Sequence, residues 1–319
     1  MSSLLLDCLS HCLERLDLLA GLAQAIRVVT RTPPRQCILT LGMKRILTAL
    51  VLIPSVLLLV FLWPSWPWLF TLAVAAVAAL AGWEYLGLAE RRGAKPPRVA
   101  VLVAIFVLFA GNFEYPDQTA PIFGGLSLGL LVYCTFRSSI DRMMADAAAS
   151  VFCLLYVGLT LIALPALREQ TNGPSLVAFL LCVVWAGDIA ALYVGRGWGR
   201  LKLAPSLSPN KTWEGTLGSM AGSLLAAGGL LGLEHLLTTQ WNKVWLSFPE
   251  DPWYWLGLAV LVNVAAQAGD LAESALKRSA GVKDSGSLLP GHGGVLDRVD
   301  ALLLAAPVLW YAQVIHLRF

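Results

Sequence analysis

The feature that most limits how this chain can fold is the spacing of its apolar runs. A bilayer is crossed by about 20 mostly apolar residues in a helix, within a range of roughly 17 to 25, and runs of that kind recur from residue 46 to the carboxyl end. Reading on this basis predicts helices at 46–63, 67–83, 99–113, 122–136, 147–166, 175–195, 215–233, 254–273 and 295–316. Only 13% of the residues are charged and 57% are hydrophobic, whereas soluble domains carry roughly 25% charged residues. The expected fold class is therefore all-α, a polytopic integral membrane protein of nine transmembrane helices. A net charge of +3 is too small to argue for a nucleic-acid partner.

Charge sorts the loops. The connection at 84–98 carries Arg91, Arg92, Lys95 and Arg98, while 114–121 carries Glu114 and Asp117 and no Lys or Arg. Nine spans with the amino terminus in the cytoplasm put Lys44, Arg45, Arg91, Arg92, Lys95, Arg98, Arg137, Arg142, Arg196, Arg200, Lys202, Lys211, Lys277, Arg278, Lys283 and Arg298 on one side. The other side then holds only Arg168, Lys243 and Arg318. This is the positive-inside pattern, and one span more or fewer would scramble it. The Trp63-Pro-Ser-Trp-Pro-Trp turn is short and aromatic, as befits the headgroup level. Cys134, Cys153 and Cys182 lie inside apolar runs, and no CxxC or metal-ligand spacing occurs, so no disulfide framework is implied.

Residues 1–42 differ from the rest. Leu9, Cys12, Leu13, Leu16 and Leu19 follow a helical spacing beside Arg15, Arg27, Arg31 and Arg35. Such a segment is either an amphipathic helix lying on the membrane surface or an extension ahead of a true start at Met43. The remainder, 43–319, reads as one membrane domain.

Two polar clusters stand out. From Gly269 to Asp300 the chain concentrates charge between two apolar runs, with Asp270 and Glu273 three residues apart on one helical face and Asp297 and Asp300 likewise. Converging carboxylates repel unless cations neutralise them, and charges at a membrane boundary are costly unless they act or pair. Upstream, Asp188 lies inside an apolar helix, followed by a basic loop ending in Ser208-Pro-Asn-Lys-Thr-Trp-Glu-Gly. Each element also has a plain reading. Asp188 could bond a neighbouring helix, Thr212 or Asn210 could cap the next one, Lys277 and Arg278 could anchor a helix end, and His292 could sit in a turn. The 208–215 segment lacks P-loop spacing, so it makes no nucleotide claim by itself.

Taken together, Ser274, Lys277-Arg278, Lys283-Asp284, Pro290, His292-Gly293-Gly294, Asp297-Arg298 and Asp300 resemble the signature of the phosphatidate cytidylyltransferases, or CDP-diacylglycerol synthases. Tyr156-Val-Gly, Asp188, the Gly195-Arg196 pair and the 208–215 loop fall in the same order as in that family, and the resemblance runs from about residue 43 to the end. It implies transfer of CMP from CTP to phosphatidic acid, giving CDP-diacylglycerol and pyrophosphate in phospholipid biosynthesis. It further implies magnesium, with or without a second cation, a bacterial inner membrane with the site facing the cytosol, and a homodimer. On this reading Asp270 and Asp297 are magnesium ligands, supported by Asp300 and Glu273. Lys211, Lys277, Arg278 and Lys283 clamp phosphates, and Ser208, Asn210, His292, Gly293, Gly294, Arg298 and Asp188 line the substrates. Two rivals are a CTP-dependent lipid kinase, against which the complete signature argues, and a transporter, which would carry charges near mid-membrane.

Overall fold

Eight long helices and one small hairpin are formed by the residues described in the computed structural model, 60–61, 66–241, 245–288 and 293–316. These residues belong to one compact unit, Ile53–Phe319. The 1–42 extension, the Met43 start, most of the expected first span and His292 lie outside the described residues. In chain order the helices are α1 Pro67–Arg91, α2 Arg98–Glu114, α3 Thr119–Arg137, α4 Ile140–Arg168, α5 Gly173–Trp198, α6 Trp213–Trp241, α7 Pro252–Ser279 and α8 Leu296–His316. They coincide with the second to ninth expected segments. Among the described residues seven spans are long and apolar enough to cross a bilayer, α3 counting with the 3-10 turn Pro116–Gln118 that leads into it. The other helix, α2, has 17 residues and sits at the short end of the spanning range. The polytopic character therefore stands, while a count of nine depends also on α2 and on the segment at 46–63.

Two details depart from the sequence expectation. The connection expected to begin at residue 84 is helical as far as Arg91, so Glu84 belongs to α1. Between α5 and α6 lie strands β1 Lys202–Ala204 and β2 Ser208–Thr212, paired antiparallel with Lys202 opposite Thr212 and Ala204 opposite Ser208. Among the described residues this hairpin is the one sheet in an otherwise helical chain.

Local chemistry sets the helix ends. Pro occupies the first turn of α1, α5 and α7, where its missing N–H costs nothing. Asp251 caps α7 by accepting from Trp253 N at 2.8 Å. At the far end of α7, Gly281 takes φ +71°, and the N–H groups of Gly281 and Val282 return to the carbonyls of Arg278 and Lys277. This is a Schellman-type stop. Midway along α4 the helix widens into a π-helical stretch at Leu154–Leu159, which carries Tyr156. Insertions of this kind collect at functional sites.

Lipid offers apolar side chains as good an environment as another helix does, so helices associate in membranes by close packing and by polar contacts. The α5–α6 seam uses both. A Cβ placed on Gly222 would lie 2.5 Å from Ala190 Cβ, and one on Gly218 would lie 2.6 Å from Val194 Cβ. Beside them Asn263 of α7, 1% exposed, donates through Nδ2 to Ser219 Oγ and Ser223 Oγ, each at 2.8 Å. Ser223 in turn donates to Val183 O of α5 at 2.8 Å, and Gln267 donates to Asn263 Oδ1 at 2.6 Å.

Contacts between loops assign them to two faces. One face holds the hairpin and the segments after α1, α3 and α7, as judged by Lys95 N to Asp146 Oδ1 at 2.6 Å and Arg278 Nε to Leu207 O at 3.1 Å. The other holds the segment before α7, where Ser247 N reaches Ser175 Oγ at 2.9 Å and Phe248 N reaches Glu234 Oε1 at 2.9 Å. Phe179, Phe248 and Trp255 pack edge-on and tilted there, with ring centroids 4.9 to 6.1 Å apart.

Candidate active site

The polar centre is assembled at the hairpin face by α7, α8, the hairpin and one residue of α1. On α7, Asp270, Glu273, Ser274 and Lys277 recur at intervals of three and four, which aligns them on one side of the helix. Lys277 Nζ forms an ion pair with Glu273 one turn below and another with Asp297 Oδ1 of α8 at 2.6 Å. Glu273 is fully buried, and the Lys277 side chain is only 12% exposed. A buried carboxylate of this kind requires a cation beside it. Glu273 is thus paired with Lys277 inside the bundle.

Lys211 arrives from β2. Its Nζ lies 2.6 Å from Asp270 Oδ2, so the two sequence clusters meet in space. The hairpin holds Lys211 there because Thr212, 4% exposed, caps α6 by accepting from Gly215 N at 3.1 Å. Of the two capping residues considered from sequence, it is Thr212 that does so; Asn210 is exposed and Ser208 half-buried. Gly195, Gly199 and Gly215 pack directly around Thr212, where larger residues would displace it. Asp188 of α5 is exposed and lies within electrostatic range of Asp270 and Lys211, and Asp300 is within range of both Asp270 and Asp188. These three carboxylates and Lys211 form one cluster of charges.

Arg278 has backbone partners on two sides. Its Nε donates to Leu207 O at 3.1 Å and its Nη1 to Val282 O at 3.0 Å, so it straps the hairpin to the signature loop. Lys283 and Arg298 are exposed. Gly293 takes φ +80°, and a Cβ there would lie 2.8 Å from Asp297 Oδ2, so glycine is required on both counts. Gly294 N donates to Asp297 Oδ2 at 2.8 Å, and Ser285 N donates to the same oxygen at 3.0 Å.

The sequence reading missed Glu84. Only 6% exposed, it accepts from Val295 N at 3.0 Å through Oε1 and from Leu296 N at 2.9 Å through Oε2. It therefore caps α8 from another helix, at the end where a negative charge is most favourable. The Ser285 hydroxyl lies between two carboxylates, 2.9 Å from Glu84 Oε2 and 3.0 Å from Asp297 Oδ2. Tyr156 was quoted from sequence but given no role. Its hydroxyl is buried without a hydrogen-bond partner, within electrostatic range of Glu273, Asp300 and Asp270, and its ring stacks at 5.4 Å on Phe152.

Membrane-length helices that collect lysines and carboxylates at one face define an integral membrane protein with a site suited to phosphate-bearing substrates. The chain belongs to the cytidylyltransferase family, whose sequence model matches residues 43–316. It is 41% identical over 186 residues to the phosphatidate cytidylyltransferase of Brucella suis, an alignment covering 58% of this chain and 64% of that protein. Against the phosphatidate cytidylyltransferases of Pseudomonas aeruginosa and Haemophilus influenzae the identities are 36% over 285 residues and 32% over 292 residues. Each of these two alignments covers 84% of this chain and 97% of the relative.

Proposed function

We propose that the protein transfers CMP from CTP to phosphatidic acid, producing CDP-diacylglycerol and pyrophosphate. The observation that carries this reading is the Lys211–Asp270 pair, which joins the hairpin to the signature helix at one point. A phosphatidate oxygen attacks the α-phosphorus of CTP; the new P–O bond forms as the bond to the β-phosphate bridge breaks, and pyrophosphate leaves with that electron pair. The nucleophile is already anionic, so the protein's work is positioning and charge neutralisation. Lys211, Lys277, Arg278 and Lys283 supply the cations, and Ser208, Asn210, Asp188, His292, Gly293, Gly294 and Arg298 are the residues proposed to line the substrates.

Asp270 and Asp297, supported by Asp300 and Glu273, are the residues that would hold magnesium, and a second cation would draw on the same set. Magnesium takes hard oxygen donors, commonly one or two carboxylates completed by phosphates and water. Among the described residues no three His, Cys, Asp or Glu side chains form a ligand cage on their own, so water and substrate phosphates would have to complete the coordination. Bound there, the ion would screen the triphosphate and stabilise the departing pyrophosphate.

The proposal includes a bacterial inner membrane, a cytosolic site and a homodimer, the last to be checked by mass measurement in detergent. The chemistry is tested with the purified full chain, phosphatidic acid and CTP labelled at either the α- or the γ-phosphorus, with and without magnesium. Lipid labelled only from the α-position, together with released pyrophosphate, is the expected result. Lipid labelled from the γ-position would instead assign a lipid kinase.

A further inference from the structure

We propose that a basic cavity between α2, α3 and α4 is a headgroup site for an anionic phospholipid. The cavity measures about 360 Å³ and is lined by Lys95, Arg98, Tyr133, Arg137, Arg142 and Asp146, among others. None of its lining residues belongs to the polar centre described above. Both lie at the same face, since Lys95 and Arg98 flank the start of α2, Arg137 ends α3 and Arg142 begins α4.

Its charges are not balanced from within. Arg98 is committed to Glu90, donating through Nε at 2.7 Å and Nη2 at 2.6 Å, and it also lies 4.3 Å over the Trp83 ring. Asp146, 1% exposed, accepts the Lys95 backbone N–H at 2.6 Å. Among the described residues no carboxylate forms an ion pair with Lys95 Nζ, Arg137 or Arg142. The Arg142 Nε is buried and has no hydrogen-bond partner. A buried donor left this way is costly, and a phosphate oxygen is the acceptor that a guanidinium fork fits best.

The surroundings select a lipid over a free phosphate. At the end of α3 Phe136 is 87% exposed, and in the first turns of α4 Ile140 is 95% and Met144 83% exposed. Apolar side chains beside a cationic cavity, at the ends of membrane-length helices, provide a path for acyl chains next to a seat for the phosphate. Basic pockets between helices at a membrane face are known to take anionic headgroups. A zwitterionic headgroup would bring its own cation against Lys95, Arg137 and Arg142.

The test measures the thermal stability of the full chain in detergent while dioleoyl phosphatidylglycerol, dioleoyl phosphatidylcholine or inorganic phosphate is added. Phosphatidylglycerol should raise the melting temperature saturably, and the other two should not. Arg137→Gln, at an exposed side chain, should weaken the apparent affinity about fivefold, and Arg137→Gln with Arg142→Gln about 25-fold, as expected for one surface cation each. Lys211→Gln, in the polar centre, should leave the response intact. Unchanged affinity in Arg137→Gln would overturn the proposal. So would a full response to inorganic phosphate alone, or loss of the lipid response in Lys211→Gln, which would move the binding to the polar centre.

Discussion

The backbone N–H of Leu296 donates to Glu84 Oε2 at 2.9 Å across 212 residues of sequence. With the Val295 N–H on the other oxygen, this fastens the start of α8, and therefore Asp297, to α1. Glu84→Ala should leave buried donors unpaired and lower stability by about 3 kcal/mol. CMP transfer should fall at least tenfold, whereas Glu84→Gln, which keeps one acceptor oxygen, should lose less of both. Melting temperature and turnover measured on both variants check this; wild-type turnover in Glu84→Ala would remove Glu84 from the support of the site.

Lys277 and Glu273 test how far a buried charge depends on its partner. Lys277→Met would strand Glu273, which has no exposure, at a cost of about 3–5 kcal/mol. Adding Glu273→Gln should recover most of the melting temperature and none of the activity. Recovery of both would mean that Lys277 has no part in the chemistry.

Lys211 should behave in the opposite way. Its pair with Asp270 is 25% and 34% exposed, and pairs this open contribute about 0–1 kcal/mol. Lys211→Gln should therefore melt close to wild type while raising the KM for CTP and lowering kcat. A steady-state CTP series decides it, and unchanged kinetics would exclude Lys211 from phosphate binding.

Asp270→Asn and Asp297→Asn should both reduce CMP transfer to near zero and abolish any stabilisation of the protein by magnesium. They should differ in folding. Asp297 accepts from Ser285 N and Gly294 N as well as pairing with Lys277, so its amide should melt lower than that of Asp270. Melting curves across a magnesium series report both effects, and wild-type turnover from either variant would take that residue out of the metal site.

Reporter fusions at Gly93, Lys202 and Ser285 should report cytoplasm, and one at Asp117 the opposite side. An external signal at Ser285 would place the signature out of reach of cytosolic CTP.

Spans were legible because hydropathy is a local property; the segments expected from 67 to 316 each became a helix. The hairpin was not, because Lys202–Thr212 carries no alternating apolar pattern and is held by tertiary bonds such as Trp213 N to Leu201 O at 3.0 Å. Glu84 was lost for a different reason. A span ended at residue 83 turned a carboxylate within a helix into one more charge of a basic loop. Rating it as an isolated acid beside an apolar run, as was done for Asp188, would have found it. Arg278 shows the converse limit, since sequence gives a cation but does not say that backbone carbonyls claim it.

The glycine seam between α5 and α6 also sets the spacing of two charges in the polar centre. Gly218 and Gly222 admit side chains of the facing helix at 2.5 to 2.6 Å from where their own would begin, while Asn263 of α7 holds Ser219 and Ser223 of α6. A side chain at either glycine would push α5 off α6, and with it Asp188 away from the strand that carries Lys211, so two residues without any charge keep a charged pair in register.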